Sequence, residues 1–339
     1  MSAKLTLLRW LANPSWRTVM RPLMKDRATI FVLHRLDAPQ SGVRGHTLSQ
    51  LGQAVDMLRD SGARIVSLRQ LVATHLQRAP AEPDCVAITM DDGFADQYTM
   101  CREVFAPRNC PVTCFPVVGF LDGGLWPWDD RLGWAVMHSP CKQVAVNIDG
   151  QIHPCDLRSN SSRLAALRRM RSLFKRLDGS VIAEVLNTVA KQLQVEIPAQ
   201  APAQHQPMTW DQARELESHG MDFGVHTVSH RIVSQLQADA VHQELSHCWA
   251  RLQSELKQPL PVVSWPTGLP GDFTERDEQI AAGLGIEAGV STYGDYARLG
   301  SRQGTLPFTL ARFGFPGSAE RVIQQGSWIE RGKQLVYPN

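Results

Sequence analysis

What most restricts the fold is a set of short runs, apolar at nearly every position, each leading toward a segment of helical spacing. "TIFVLHRL" (29–36), "DCVAITM" (84–90) and "PVTCFPVVGF" (111–120) do not alternate polar with apolar residues. A strand of that kind is covered on both faces, as in a parallel sheet with helices on each side. Between the first two lies "HTLSQLGQAVDMLRDSG" (46–62), with Thr47 as N-cap, Gln50 closing a capping box and Gly62 as the stop. "RIVSL" (64–68) predicts a short strand, and "LRQLVATHLQ" (68–77) and "ADQYTMCREVFAPRN" (95–109) predict helices. This β-then-α order specifies the α/β class.

The alternation breaks between about 120 and 205, read as an insertion on the domain. It holds "LDGGLWPWDDRLGWAVM", a hairpin in "KQVAVNIDGQIHP", the basic helical stretch "SSRLAALRRMRSLFKRL" and the polar link "EIPAQAPAQHQP". Regular order resumes at 208 with a second capping box, Thr209 and Gln212, and a helix ending at Gly220. "MDFGVH", "PVVSWP" and "EAGVST" are further strands, with the helix "ERDEQIAAGLG" before the last. Roughly eight β/α units predict a barrel, complete or distorted.

At 339 residues, 43% hydrophobic and 20% charged, the chain suits one large α/β domain. A net charge of +2 argues against a general nucleic-acid binder, and no apolar run is long enough to cross a bilayer. Residues 1–27 form a basic amphipathic segment, where Lys4, Arg9, Arg17, Arg21, Lys25 and Arg27 interleave with Leu5, Leu7, Leu8, Trp10, Leu11, Trp16 and Val19. The simpler expectation is a helix packed on the domain with its charges in water. The other is peripheral contact with an anionic membrane surface. Seven scattered cysteines without a Cys-x-x-Cys pair, and no export signal, predict reduced thiols and a cytoplasmic protein, at the inner membrane surface if the segment touches lipid.

In such folds chemistry gathers at the C-terminal ends of the strands. Asp91 and Asp92 follow "CVAITM", His226 ends "MDFGVH" with His230 four residues on, and His34 follows "TIFVL". Two adjacent carboxylates beside a core are costly unless a cation, a hydrogen-bond network or a retained proton offsets them. The His226-x-x-x-His230 spacing equals one helical turn, so both imidazoles point one way if the segment is helical. Two imidazoles and one carboxylate make a zinc site with a position left for water. One of Asp91 and Asp92 would bind the metal and the other act as a base. Taken singly, Asp-Asp-Gly is more often a turn and a histidine pair more often core or surface. "GLGIEA" precedes a strand and so is no dinucleotide loop, and neither a Gly-x-Ser-x-Gly elbow nor a P-loop occurs.

"ITMDDGFADQY" resembles the Thr-Phe-Asp-Asp-Gly motif of the polysaccharide deacetylase family (the NodB-homology or carbohydrate esterase 4 group), with Met90 in the Phe place. "GVHTVSH" resembles its His-(Ser/Thr)-x-x-His motif. The similarity runs over about 28 to 315 and is interrupted by the insertion, making 28–339 the catalytic domain. It implies a distorted (β/α) barrel of the NodB type that holds a divalent metal, usually zinc, with cobalt or nickel as substitutes. Asp92, His226 and His230 would be the ligands and Asp91 the general base. "SWPTGLPGDF" stands where the family has an arginine-bearing segment and lacks that arginine. "FTLARFGF", with Arg312, stands where the family's Leu-x-His acid would be. "FVLHRL" is similar to the N-terminal strand end of the poly-N-acetylglucosamine deacetylase branch and puts His34 in the acid role.

The implied reaction removes acetyl groups from N-acetylated amino sugars of a polysaccharide or glycan precursor. The oxyanion would meet a backbone N–H near Tyr98 or in the 93–95 turn. Trp126, Trp128, Trp265 and Arg312 are the expected substrate contacts. The basic helix with Arg163, Arg168, Arg169, Arg171, Lys175 and Arg176 reads first as a solvated face, and otherwise as a contact for the phosphate of a lipid-linked sugar. The rivals are another amide hydrolase on this scaffold, allantoinase-like, and a silent glycan-binding module. A silent module would have lost an Asp or His of the set, and none is lost.

Overall fold

The computed structural model describes residues 3–39, 43–177, 179, 181–300 and 306–337. The chain begins with helices α1 (Ala3–Leu11) and α2 (Pro14–Met20), then a 3₁₀ turn at Arg21–Met24. The first half of the domain follows as β1 (Arg27–Leu33), α3 (Leu48–Asp60), β2 (Arg64–Ile65), α4 (Leu68–His75), β3 (Cys85–Asp92), α5 (Ala95–Met100), β4 (Val112–Pro116) and α6 (Val118–Leu121). The insertion contributes α7 (Trp128–His138), the hairpin β5 (Gln143–Ile148) and β6 (Gln151–Asp156), α8 (Asn160–Phe174) and α9 (Ile182–Gln192). The second half is α10 (Trp210–Ser218), β7 (Asp222–Phe223), α11 (Ala238–Glu255), β8 (Val262–Ser264), α12 (Glu275–Gly283), β9 (Ala288–Val290), β10 (Ala297–Arg298), β11 (Phe313–Gly314), α13 (Ala319–Gln325) and α14 (Ile329–Val336).

The sheet runs β10-β1-β3-β4-β7, with β11 also on β1 and β2 on β3. All pairings are parallel except β10 on β1. β8 and β9 form a separate parallel pair. Single bridges, Val225 to Val263 and Val290 to Leu310, link that pair to its neighbours. The fold is therefore a distorted α/β barrel, its hydrogen-bonded ladder not closed among the described residues. Every residue of β3 is buried, as an apolar run between two parallel neighbours demands. Both predicted capping boxes form, at Thr47 with Gln50 and at Thr209 with Gln212.

Three elements differ from their sequence expectation. β1 stops at Leu33, so His34 stands just past the strand. The helix expected over 95–109 is regular only to Met100; a π turn (Cys101–Phe105) and a 3₁₀ turn (Ala106–Arg108) complete it. Pro107 has no N–H and its ring crowds the preceding turn, so an α-helix cannot run through it unbroken. "MDFGVH" is extended only over Asp222–Phe223, with one further bridge at Val225.

The insertion has its own apolar core, built from residues such as Trp128, Leu132, Val146, Met170, Phe174 and Leu186. It sits over the C-terminal ends of β1 and β3, where Asp130 lies 3.6 Å from Arg35.

Candidate active site

β1 and β3 pair in parallel with Leu33 beside Met90, so their next residues, His34 and Asp91, emerge at the same end of the sheet. The start of α5 fixes that juncture. Gln97, fully buried, donates from Nε2 to the His34 carbonyl at 2.9 Å and also to the Asp91 carbonyl. Asp96 accepts from Arg35 Nε and from the Leu36 N–H, both at 2.9 Å. Between the strand and α5, Gly93 has φ +84°, and a Cβ there would lie 2.8 Å from Pro116 Cβ. Glycine is the residue that passes this point. Asp92 holds the same left-handed φ of 84° without glycine's freedom, a strained backbone at the centre of the site.

Asp91 and Asp92 face different partners. Asp91 lies on a two-pronged ion pair with Arg312: Nη1 donates to Oδ1 at 2.8 Å and Nη2 to Oδ2 at 2.7 Å. Ser264 Oγ adds a bond to Oδ2 at 3.0 Å. Arg312 is itself fixed by Thr89 Oγ1, Ser264 Oγ and the Ser291 carbonyl. Burial pushes the Asp91 carboxyl up, but the Arg312 guanidinium, with His226 behind it, more than reverses that and holds it below the usual carboxylate range. Asp91 is therefore a fixed, ionised carboxylate.

Asp92 turns to the histidines. Its Oδ1 is 3.5 Å from His226 Nε2 and 3.4 Å from His230 Nε2. The three residues offer ligand atoms that all lie within 4.8 Å of one another. His226 Nδ1 is 2.6 Å from the Ser264 carbonyl. A carbonyl only accepts, so Nδ1 carries the proton and the Nε2 lone pair faces Asp92. Asp92 Oδ1 and His226 Nε2 are both buried and lack a hydrogen-bond partner. Such orphans inside a site cost free energy unless a further group joins them. One carboxylate with two imidazoles is the donor set that a zinc-like ion takes, so the residues fit the metal that the motifs imply.

The expected helical turn between the histidines is absent. Thr227 and His230 have φ of 66° and 57°, and the segment bends as a loop. Buried Glu244 on α11 shapes it, accepting from the N–H groups of Val228 and Ser229 at 2.8 and 2.9 Å and from the Ser229 hydroxyl. Thr227 Oγ1 accepts from the His230 N–H. Asp129, at the start of α7, brings a further carboxylate from the insertion to 3.7 Å from His230 Nδ1. Burial lowers the His230 pKa, but Asp129 and Asp92 together raise it to about 9. The cluster favours positive charge at its centre.

A cavity of about 380 Å³ opens beside Asp92. The main domain lines it with His34, Arg44 and Phe94, and the insertion adds Asp129, Leu167, Arg171 and His205. His34 is exposed there. The expected substrate contacts stand elsewhere. Trp265 and Arg312 have no exposed surface, so neither side chain can reach a ligand; Trp265 stacks on Phe273 and donates to the Phe308 carbonyl. Arg312 instead holds Asp91. Trp128 stacks on Phe174, and Trp126 donates to Asp130. Both are buried, Trp128 in the insertion's core and Trp126 in a cluster with Phe94 and Val117 of the main domain. Within the 93–95 turn, the Ala95 N–H is taken by the Gln206 carbonyl. On the basic helix, Arg163 and Arg171 turn inward to backbone carbonyls of α7 and its end. Asp129, Gln97 and Glu244 carry no motif signal; each acts through contacts distant in sequence.

The polysaccharide deacetylase family model matches residues 181–289, which include His226 and His230 and leave Asp91 and Asp92 outside. No curated protein matches the chain. Among solved structures, the chain is similar to the Streptococcus pyogenes deacetylase PplD in complex with acetate, at 17% identity and TM-score 0.56, over 89% of this chain and 98% of that one. It is also similar to IcaB from Ammonifex degensii, at 15% identity and TM-score 0.53, over 89% and 97%. The BpsB deacetylase domain from Bordetella bronchiseptica matches at 16% identity and TM-score 0.50, over 85% and 95%. The fold is that of these deacetylases, in agreement with the family resemblance of the two motifs.

Proposed function

We propose that this chain is a metal-dependent hydrolase that removes acetyl groups from N-acetylated amino sugars of a polysaccharide or glycan precursor. The observation that carries this reading is the division of labour between two neighbours. Asp91 is clamped and ionised by Arg312, while Asp92 faces His226 and His230 with its Oδ1 unpartnered.

Asp92, His226 and His230 would hold the ion, zinc foremost. When bound, it supplies a Lewis acid for the acetamide carbonyl and brings the pKa of a water toward ~7. Asp91 Oδ1 accepts from Arg312 Nη1 alone, so one lone pair remains to take a proton from the attacking water. The Arg312 fork fixes the direction of that lone pair. The water oxygen bonds to the carbonyl carbon and the carbon–nitrogen bond breaks. His34, on the cavity wall, gives its proton to the departing amine. The products are acetate and a free amino sugar. The insertion walls one side of the cavity and supports the choice of a glycan over a small cyclic amide.

The test is metal stripping and return. Turnover on an N-acetylglucosamine oligosaccharide should vanish with a chelator and return with zinc or cobalt. Turnover of a cyclic ureide in place of the oligosaccharide would favour the allantoinase-like reading and overturn this one.

A further inference from the structure

Helix α1 has two apolar faces. Leu5 and Leu8, with Ala12 beyond the helix, pack on Ile323 of α13 and on Met57. At about 100° per residue, Leu7 and Trp10 point away from that contact. Each is 55% exposed. Lys4 and Arg9, both exposed, stand on the two flanks of this outer stripe. Val19 on α2 is 64% exposed, and Lys25 follows it at the surface, while Arg21 turns its Nε to Asp84 at 3.6 Å. From residue 1 to 25 the chain has no Asp or Glu. α14 packs beside Arg21–Met24 and adds the exposed Leu335, Val336 and Tyr337.

We propose that the face formed by α1, α2 and the end of α14 docks on an anionic lipid bilayer. An outward apolar stripe flanked by cations is the pattern of helices that lie in the headgroup region, with Lys and Arg stems reaching to the phosphates. Exposed apolar side chains flanked by Lys4, Arg9 and Lys25 suit a deformable lipid surface, and the cationic excess of residues 1–25 favours an anionic one. The face is built before it binds. Arg17 is buried and bonds to Asp84, to the Ser61 hydroxyl and carbonyl, and to the carbonyls of Ala12 and Gly326. It therefore holds α2 rigidly on the domain. Asp84 immediately precedes β3, and Asp92 ends it. Eight residues of strand, about 26 Å, therefore separate this anchor from the catalytic centre. The docked enzyme works on glycan away from the bilayer surface.

The experiment is co-sedimentation of the full chain with phosphatidylcholine vesicles, with and without phosphatidylglycerol. Binding should require phosphatidylglycerol and weaken as salt screens the charges. Each basic residue at such a surface contributes about fivefold to partitioning, so Lys4→Glu with Lys25→Glu should cut binding by at least about 25-fold. Leu7→Ser with Trp10→Ser should also abolish it. All four positions are exposed, and unchanged thermal melting of both double variants would show that the fold survives. No sedimentation with anionic vesicles, equal binding to neutral ones, or binding that neither double variant lowers would overturn the proposal. A protein partner for this face would give the first of these results.

Discussion

Replacing Arg312 with methionine isolates the ion pair on which the proposed base depends. Methionine keeps much of the buried stem and removes the charge and all donors. Two bonds to Asp91 are lost, and Thr89 Oγ1, Ser264 Oγ and the Ser291 carbonyl lose their donor. Asp91, 3% exposed, is left as a buried charge without its counter-ion. Breaking a buried pair from one side costs about 3–5 kcal/mol, and we expect a loss of that size at pH 7 in urea unfolding of chelator-stripped protein. The pH trend follows from the sign of the shift. In the native chain the folded pKa of Asp91 lies below the unfolded 3.8. Its stabilisation is therefore fully present above 3.8 and is lost only as pH falls through the lower folded value. In Arg312→Met, burial acts against only the pull of His226 and His34 and the folded pKa rises, so the penalty shrinks as the group takes up a proton. The gap between the two proteins should narrow from pH 7 to pH 5. Turnover should fall by about 10² or more, because the base loses its aim. A loss under about 1 kcal/mol with unchanged turnover would refute the role given to this pair.

Three further substitutions separate the remaining roles. Asp91→Asn should keep zinc affinity within a few-fold and lose most turnover, because an amide accepts no proton; loss of metal along with turnover would make Asp91 a ligand instead. His34→Ala should leave zinc affinity intact and lower kcat by about 10²–10⁴, with a smaller loss on an activated aryl acetate whose leaving group needs no proton. An equal loss on both substrates would mean that His34 acts through structure. Asp129→Asn should weaken zinc binding by about 10–100-fold in competition with a fluorescent chelator, the usual worth of a carboxylate behind a ligating imidazole, with partial rescue by Asp129→Glu.

Much of the frame was legible because its signals are local. β3 reads as a buried strand from its own residues, and Thr47 and Thr209 announce their helices through partners three positions on. The adjacent Asp91 and Asp92 and the paired His226 and His230 stood out because such charge at strand ends needs a reason. The parts that stayed hidden depend on distance. Arg312 meets Asp91 across 221 positions of sequence. Asp129 belongs to an insertion whose placement no local pattern gives. Gln97 and Glu244 serve backbone groups, and nothing in their neighbours marks that use. The tryptophans misled for a related reason: an indole suits a sugar face and a core equally well, and Trp265 and Trp128 took the core. The helical reading of His226–His230 failed because spacing cannot reveal the left-handed residues Thr227 and His230, which fold the loop inward.

The most direct test of the central claim is to count both products of one reaction. Zinc-loaded protein is incubated with a defined N-acetylglucosamine oligosaccharide, and acetate and free amine are measured together. The account predicts equal amounts of the two, with turnover lost in Asp91→Asn while the bound zinc remains. Bound zinc without acetate release from any N-acetylated oligosaccharide, or equal turnover by Asp91→Asn, would contradict it.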